Sequence, residues 1–422
     1  MGLTNPPETA RVCAMRWEGG GSQASLREGN RRRLVRLLQA HGPMTRAELS
    51  RAAEVSRSTV SAIIAELIDE GLVEEPGQTL TRGQAGRPGS LVRLNPSAGV
   101  AVGIDIDHQH LRVMAADLAQ TVLGEASRPL ALNHDAREAM ALAVELVDEV
   151  LAEAAASRER VLGVGLSLAG PIESLRGTVR PSSISPSWVG LDAAGEMRER
   201  IDLPVFLDND ANLGALAESM WGAARGVSDA LYLNVGTGIG AGLIIGGAVY
   251  RGAIGTAGEI GHATATEGGL VCRCGNRGCL ERYAGGTALL HELEASHGDD
   301  LTLDDLIDRA RDGENSARRV VADAGYLIGL HVATLCNLLN PSRVIVGGPL
   351  SATGDVLLEP IRRSITRSAL PIAAETVEVV RGDLGERATA LGAVALVLRA
   401  AGPDVLDDRM ERGRGEAVAV GQ

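Results

Sequence analysis

Residues 230–247 read ALYLNVGTGIGAGLIIGG, and residues 258–281 read GEIGHATATEGGLVCRCGNRGCLE. The first stretch holds two apolar runs joined at the glycines of GTGIG, a pattern that predicts a β-hairpin turning on those glycines. The second places Cys272, Cys274 and Cys279 within eight positions, with His262 ten positions before Cys272. Three thiolates and one imidazole complete a tetrahedral zinc shell, and a closed four-ligand shell belongs to a structural ion rather than a catalytic one. The competing reading is a loop of reduced thiols beside an unrelated histidine, because Cys-x-Cys-x4-Cys is not the commonest finger spacing. Cys336 lies in the apolar run VATLCNLLN and reads as core filling.

Working outward from the hairpin, strand and helix patterns alternate. VAVGIDID (100–107), LRVMAADL (111–118), VLGVGLSLAG (161–170), PVFLDND (204–210) and RVIVGG (343–348) read as strands, and residues 137–156, 211–221 and 317–339 read as helices. Interleaved strands and helices predict an α/β body, in two lobes on grounds of length, with no strong internal repeat. FLDNDAN puts Asp208, Asn209 and Asp210 at a strand end, where α/β sheets present ligand-binding groups. A carboxylate beside an amide grips neighbouring sugar hydroxyls, and a carboxylate is also what a kinase needs to accept a hydroxyl proton. The bland alternative is a helix cap. Glu259, His262 and Glu281 bracket the cysteines, so a zinc-stiffened loop holds two carboxylates over the same pocket, which makes a polyol site.

Ahead of this body the text is different. Leu34, Leu37 and Leu38 give one face of a helix that ends at HGPM. Thr45 and Glu48 form a capping box for a short second helix ending near Ala53. Ser56 caps a third helix whose Val60, Ile63, Ile64, Leu67 and Ile68 recur at helical spacing, ending at Gly71. LVEE and LVRLNP, separated by GQTLTRGQAGRPGS, read as a two-stranded wing. The spacing is that of a winged helix-turn-helix. On its third helix Arg57, Ser58, Thr59, Ser61 and Ala62 lie off the apolar stripe, where small polar side chains let a helix approach base edges. Arg82 and Arg87 on the wing reach phosphates or the minor groove. A small helical domain used only for dimerisation is the alternative.

Composition agrees with this division. The chain has 422 residues, which argues for two or three domains, and apolar residues make up 45% against 23% charged. Aromatics are only 2%, so aliphatic side chains fill the cores, and lysine is absent. Residues 1–98 carry 13 Arg against 10 Asp plus Glu, a net +3, which leaves −16 for the rest of a chain whose total is −13. A polyanion is therefore met by the front end alone. No run approaches the ~20 apolar residues of a membrane helix, and the first residues lack a signal-peptide core, so a cytoplasmic location without membrane contact is expected.

The run LNVGTGIGAGLIIGGAVYRGAIGTAGEIGH (233–262) followed by CRCGNRGCLE (272–281), with NDAN (209–212) upstream, resembles the ROK family of sugar kinases and sugar-responsive repressors. The wing text GRPGSLVRLNP (86–96) is similar to that of its repressor branch. The resemblance spans roughly residues 28–402. It implies an N-terminal winged helix-turn-helix followed by a two-lobed actin-like and hexokinase-like body, a structural zinc, and a homodimer or homotetramer that binds operator DNA. It further implies Asn209, Asp210, Glu259, His262 and Glu281 as sugar contacts, with Asp210 in the place of the kinase base and His262 serving zinc and sugar together.

Two departures bear on activity. Where the kinases carry an Asp-x-Gly-Gly-Thr phosphate loop, Asp105 is followed by Ile106, Asp107, His108 and Gln109; where they usually carry an acid, the glycine turn has Asn234. Close approach to a phosphate needs glycine, and Asp107 adds a negative charge beside it. The expectation is a repressor rather than an enzyme, with a tail over 1–27, a DNA-binding domain over 28–97, a sugar-binding body over 98–402 and a second tail over 403–422. The pseudo-palindromic operator has half-sites about 10 bp apart or a multiple. An ATP-dependent sugar kinase with a fused DNA-binding domain is the alternative, and a repressor released by a phosphotransfer protein a third reading. The loop RPSSISPSW (180–188) lacks the Asn that family members often place after the Pro, which leaves the sugar's identity open.

Overall fold

The computed structural model describes residues 23–76, 90–131, 134–173, 178–179, 186–298 and 300–400. Helix α1 (Gln23–His41) begins inside the segment expected as a tail. Its extension has a cause that is long-range in sequence: Arg31 makes two bonds of 2.9 and 2.6 Å to Glu70, and Arg27 pairs with Glu66, so α1 is clamped across a helix it meets only after folding. A two-residue strand, β1 (Met44–Thr45), leads into α2 (Arg46–Ala53), where Thr45 and Glu48 form the reciprocal capping box. Ser56 caps α3 (Arg57–Asp69), whose Val60, Ile63, Ile64 and Leu67 are buried. Strands β2 (Val73–Glu74) and β3 (Leu91–Leu94) pair as expected, and β3 also pairs with β1, which adds a third strand.

The body opens with a meander, β4 (Val100–Ile106), β5 (His110–Asp117) and β6 (Val122–Pro129), followed by α4 (Ala136–Glu153) and β7 (Val161–Leu168). A small hairpin, β8 (Ile172–Glu173) and β9 (Thr178–Val179), precedes α5 (Ala193–Ile201), β10 (Val205–Asn209) and α6 (Asp210–Trp221). A second meander, β11 (Ala230–Val235), β12 (Ile239–Ile245) and β13 (Ala248–Tyr250), leads through α7 (Glu281–Ala284), α8 (Gly286–His297) and α9 (Leu303–Asp312) to the long α10 (Asn315–Leu339). Strand β14 (Arg343–Gly347), α11 (Asp355–Ser368), α12 (Pro371–Thr376), β15 (Glu378–Arg381) and α13 (Ala388–Ala400) complete it.

The two large sheets run β10-β7-β4-β5-β6 and β13-β12-β11-β14-β15. In each, an antiparallel meander is extended by two parallel strands laid beside its first member, so the second lobe repeats the topology of the first. This repeat corrects the sequence reading, which saw none. A sheet buried on both faces asks only for apolar, β-favouring residues, so two copies of one topology need share no text. Helix α10 is long and apolar enough to cross a membrane, and half of that stretch is buried in the second lobe, Cys336 included.

Helices α6 and α13 form the seam between the lobes. A Cβ on Gly103 of β4 would stand 2.3 Å from the Ala390 carbonyl oxygen, and one on Gly165 of β7 would stand 2.0 Å from that of Ala393, so α13 lies with its main chain on the first sheet. Gly392 lets α13 meet the Leu213 carbonyl of α6 in the same way. The fully buried Glu218 of α6 accepts the amides of Ala223 (2.6 Å), Leu384 (3.1 Å) and Asp383 (3.3 Å), which fixes the segment leading into α13.

The DNA-binding domain is joined to this seam. Gln39 of α1 donates to the Leu398 carbonyl at the end of α13 (2.8 Å). Gln120, between β5 and β6, donates to the Gln39 carbonyl, and its own carbonyl accepts the Trp221 indole N–H at the end of α6 (3.2 Å). Side chains of both domains share one apolar cluster, with Leu34, Leu38 and Leu94 in the same core as Met114, Val394 and Leu398. Gly165→Val should therefore lower stability by about 3 kcal/mol, the usual upper range of overpacking, because a carbonyl in a helix cannot swing aside. Thermal unfolding measures this, and an unchanged midpoint would refute the close approach.

Candidate effector cleft, zinc cluster and DNA-reading helix

The cleft between the lobes is lined by Asp105, Asp107, His110, Asp210, Asn234 and Glu386 among others. Parallel pairing of β4, β7 and β10 brings their ends to one rim, which is why Asp105 and Asp210, about a hundred residues apart, line the same space. Asp210, the first residue of α6, accepts from Asn209 Nδ2 (2.9 Å), the Ala211 amide (2.8 Å) and, across the seam, Asn234 Nδ2 (2.8 Å). Burial, the charge of Asp107, and then those of Asp105 and Glu259 outweigh these donors and push the Asp210 carboxyl up to about 8.

The FLDNDAN segment divides its labour. Asp208 is buried and consumed: Arg251 grips its Oδ2 at 2.7 Å, while Oδ1 accepts the Asn209 amide (2.8 Å) and Asn212 Nδ2 (3.0 Å). Asn209 caps α6 by accepting the Asn212 amide (3.0 Å), and its Nδ2 donates to Gly170 O (3.2 Å) and Asp210. The helix-cap reading of this run is thus met at Asn209. Arg251 and the Asn234–Asp210 bond were not legible as site features; a lone Arg after GGAVY carries no signal of its partner.

His262 and Glu281 come together with Glu259. The Glu281 carboxylate lies against the glycine turn, 2.5 Å from where a Gly238 Cβ would stand, and Glu259 Oε2 is 3.9 Å from His262 Nε2. Burial, then the Glu281 charge, push Glu259 up to about 7. The ligand atoms of His262, Cys272, Cys274 and Cys279 all lie within 4.8 Å of one another. Cys272 Sγ is 3.7 Å from His262 Nδ1 and Cys274 Sγ 3.6 Å from Cys279 Sγ. A tetrahedron with zinc–ligand bonds of about 2.0–2.3 Å has edges of about 3.6–3.8 Å, so the cluster is consistent with a zinc site. His262 thus turns Nδ1 to the cysteines and Nε2 to Glu259.

On α3, Arg57, Ser58, Ser61 and Ala62 are exposed along one side, away from the buried stripe. Thr59 is half-buried, and its hydroxyl lies 2.8 Å from Ser56 Oγ, so it serves the cap. Arg82 and Arg87 lie outside the described residues.

Two outcomes follow from this geometry. Cys274→Ser should release zinc measured by elemental analysis, whereas a metal content equal to wild type would remove the cluster from consideration. Asp210 binds its proton more tightly folded than unfolded, so its contribution to stability is complete below the ordinary value of 3.8 and is lost as pH rises toward about 8. Thermal midpoints of wild type relative to Asp210→Asn should fall across that window; parallel profiles would refute the shift.

The ROK family model matches residues 101–400, and a winged helix-turn-helix DNA-binding model matches residues 27–74. The chain is 30% identical to the xylose repressor of Caldicellulosiruptor bescii over 393 residues, 90% of this chain and 97% of that protein. The crystal structure of a ROK family transcriptional regulator homologous to the Mlc protein of Escherichia coli superposes with a TM-score of 0.75 at 26% identity, covering 91% of this chain and 99% of that one. A ROK family glucokinase from Streptomyces griseus, solved with glucose and AMPPNP, superposes over 71% of this chain and 99% of its own with a TM-score of 0.61 at 30% identity. With the ROK model covering most of the chain and the winged helix-turn-helix model its front, the chain belongs to the ROK family.

Proposed function

We propose that this chain is a cytoplasmic transcriptional repressor that binds a pseudo-palindromic operator as a homodimer or homotetramer and changes its operator affinity when a sugar or sugar derivative fills the interlobe cleft. The observation that carries the reading is the hydrogen-bonded junction of the DNA-binding domain with the seam helices, directly with α13 and through Gln120 with α6. The likeness to the xylose repressor over nearly the whole of both chains supports it.

In this reading the domains divide at 27, 97 and 402. Arg57, Ser58, Ser61 and Ala62 approach base edges, Thr59 sets the start of the helix, and Arg82 and Arg87 contact the backbone or minor groove. Asp210, Glu259, Glu281, His262 Nε2 and the Asn209 amide hold the sugar. His262 Nδ1, Cys272, Cys274 and Cys279 would hold a structural zinc that stiffens the loop carrying Glu259 and Glu281. Asp107, His108 and Gln109, in place of two glycines and a threonine, support a body that binds sugar without phosphorylating it.

Coupling follows the seam. Helix α6 starts at Asp210 in the cleft and ends at Trp221, and Trp221, Gln120 and Gln39 form a chain into α1. A ligand that changes the lobe angle must shift α6 against α13 and so re-aim α1, which packs against the recognition helix. The retained Asp210 and glycine turn favour one rival, an ATP-dependent sugar kinase, and a thermal shift with ATP would support that rival.

Selection of genomic fragments by purified protein at about 0.15 M salt, where non-specific phosphate binding is suppressed, tests the reading. A recovered pseudo-palindrome beside sugar transport or breakdown genes is expected; no enrichment by folded, zinc-loaded protein would overturn it. On that operator, Asp210→Ala should bind DNA and ignore sugar. Gln39→Ala should bind both while its sugar-induced change in operator affinity shrinks, and full coupling in that variant would exclude the seam route.

A further inference from the structure

The wall of the cleft formed by the turn after β4 has an unusual charge balance. Among the described residues that line the cleft, Asp105, Asp107, Asp210 and Glu386 are carboxylates, and the one side chain able to carry positive charge is His110. His110 is already shared: its Nε2 is 3.4 Å from Asp105 Oδ2 and its Nδ1 3.5 Å from Asp107 Oδ2. The arginines nearest this wall are engaged elsewhere. Arg112 bridges Glu125 (2.5 Å) and Glu386 (3.2 Å), and Arg387 pairs with Glu125 (2.9 Å). Two amides of the turn are already taken, since Asp107 N–H donates to His110 O (2.9 Å) and His108 N–H to Asp107 Oδ1 (2.6 Å). A phosphate placed here finds His110 as the one lining cation, already beside two carboxylates, and it faces Asp105 and Asp107.

The position of this wall gives the charge balance its meaning. Asp105 and Asp107 lie near enough to Asp210 for their charges to act on it, and Asp210 is the proposed sugar contact. A phosphate ester on a hydroxyl that reaches Asp210 must therefore project toward Asp105 and Asp107. Resting on the effector reading above, we propose that the cleft selects an uncharged, unphosphorylated sugar, and that Asp107, backed by Asp105, rejects sugar phosphates. At about 6 Å and an effective dielectric of about 20, each negative charge of a phosphate beside one such carboxylate costs about 100-fold in affinity. A further cation beyond the lining is the exposed Arg273, whose charge acts on His108.

The test is titration calorimetry of the full-length, zinc-loaded protein with xylose, glucose and N-acetylglucosamine, each paired with its terminal phosphate ester. At least one neutral sugar should bind about 100-fold or more tightly than its own ester. In Asp107→Asn and Asp107→Gly that ratio should fall to about tenfold or less, with zinc content reporting an intact fold. An ester that binds as tightly as its parent sugar, or a ratio unmoved by both Asp107 variants, would overturn the inference while leaving the effector cleft in place. If no sugar and no ester binds, the effector reading itself falls and takes this inference with it.

Discussion

The structure depends on one close contact, the main chain of α13 resting directly on β4 and β7 where Gly103 and Gly165 leave no side chain. That contact brings the last helix of the chain back to the first lobe, with α6 alongside it through Gly392 and Leu213. The DNA-binding domain is bonded to α13 through Gln39 and to α6 through Gln120. Packing at backbone distance is stiff, because no rotamer change relieves it, so displacement of either helix is passed on rather than absorbed.

The cleft is built by distributing carboxylates among different tasks. Asp208 is neutralised by Arg251 and serves as scaffold, Asp210 is held by three donors yet kept near neutrality by burial and its neighbours, and Asp105 and Asp107 share His110. Glu259 and Glu281 sit near each other, with Glu259 beside His262 of the His/Cys cluster. Acidic side chains in one cleft therefore differ in electrostatic state, and residue type alone does not say which state each one has.

Much of the DNA-binding domain was legible because its determinants are local. The Thr45–Glu48 box, the Ser56 cap and the i, i+3, i+4 stripe of α3 each operate within a few residues, and the structure has all three. What escaped was non-local: β1 exists only because β3 passes beside it, and α1 extends to Gln23 because Arg27 and Arg31 find partners on α3 and just after it. In the body, the hairpin at the glycine turn and the helix over Asn315–Leu339 were readable. The edge strand β6 and the terminal helix α13 went unread, the latter because an alanine-rich segment announces neither its length nor its role.

The sequence by itself determined a winged helix-turn-helix ahead of an α/β body, the four residues of the His/Cys cluster, and the family, since each rests on residue type at short spacing. Tertiary structure alone decided that the two sheets repeat one topology, that Asp208 is scaffold while Asp210 faces the cleft, and that Gln39, Gln120 and Trp221 connect the two halves. The physical reason is that pairing partners across tens to hundreds of residues are chosen by packing geometry, which no single stretch of chain encodes.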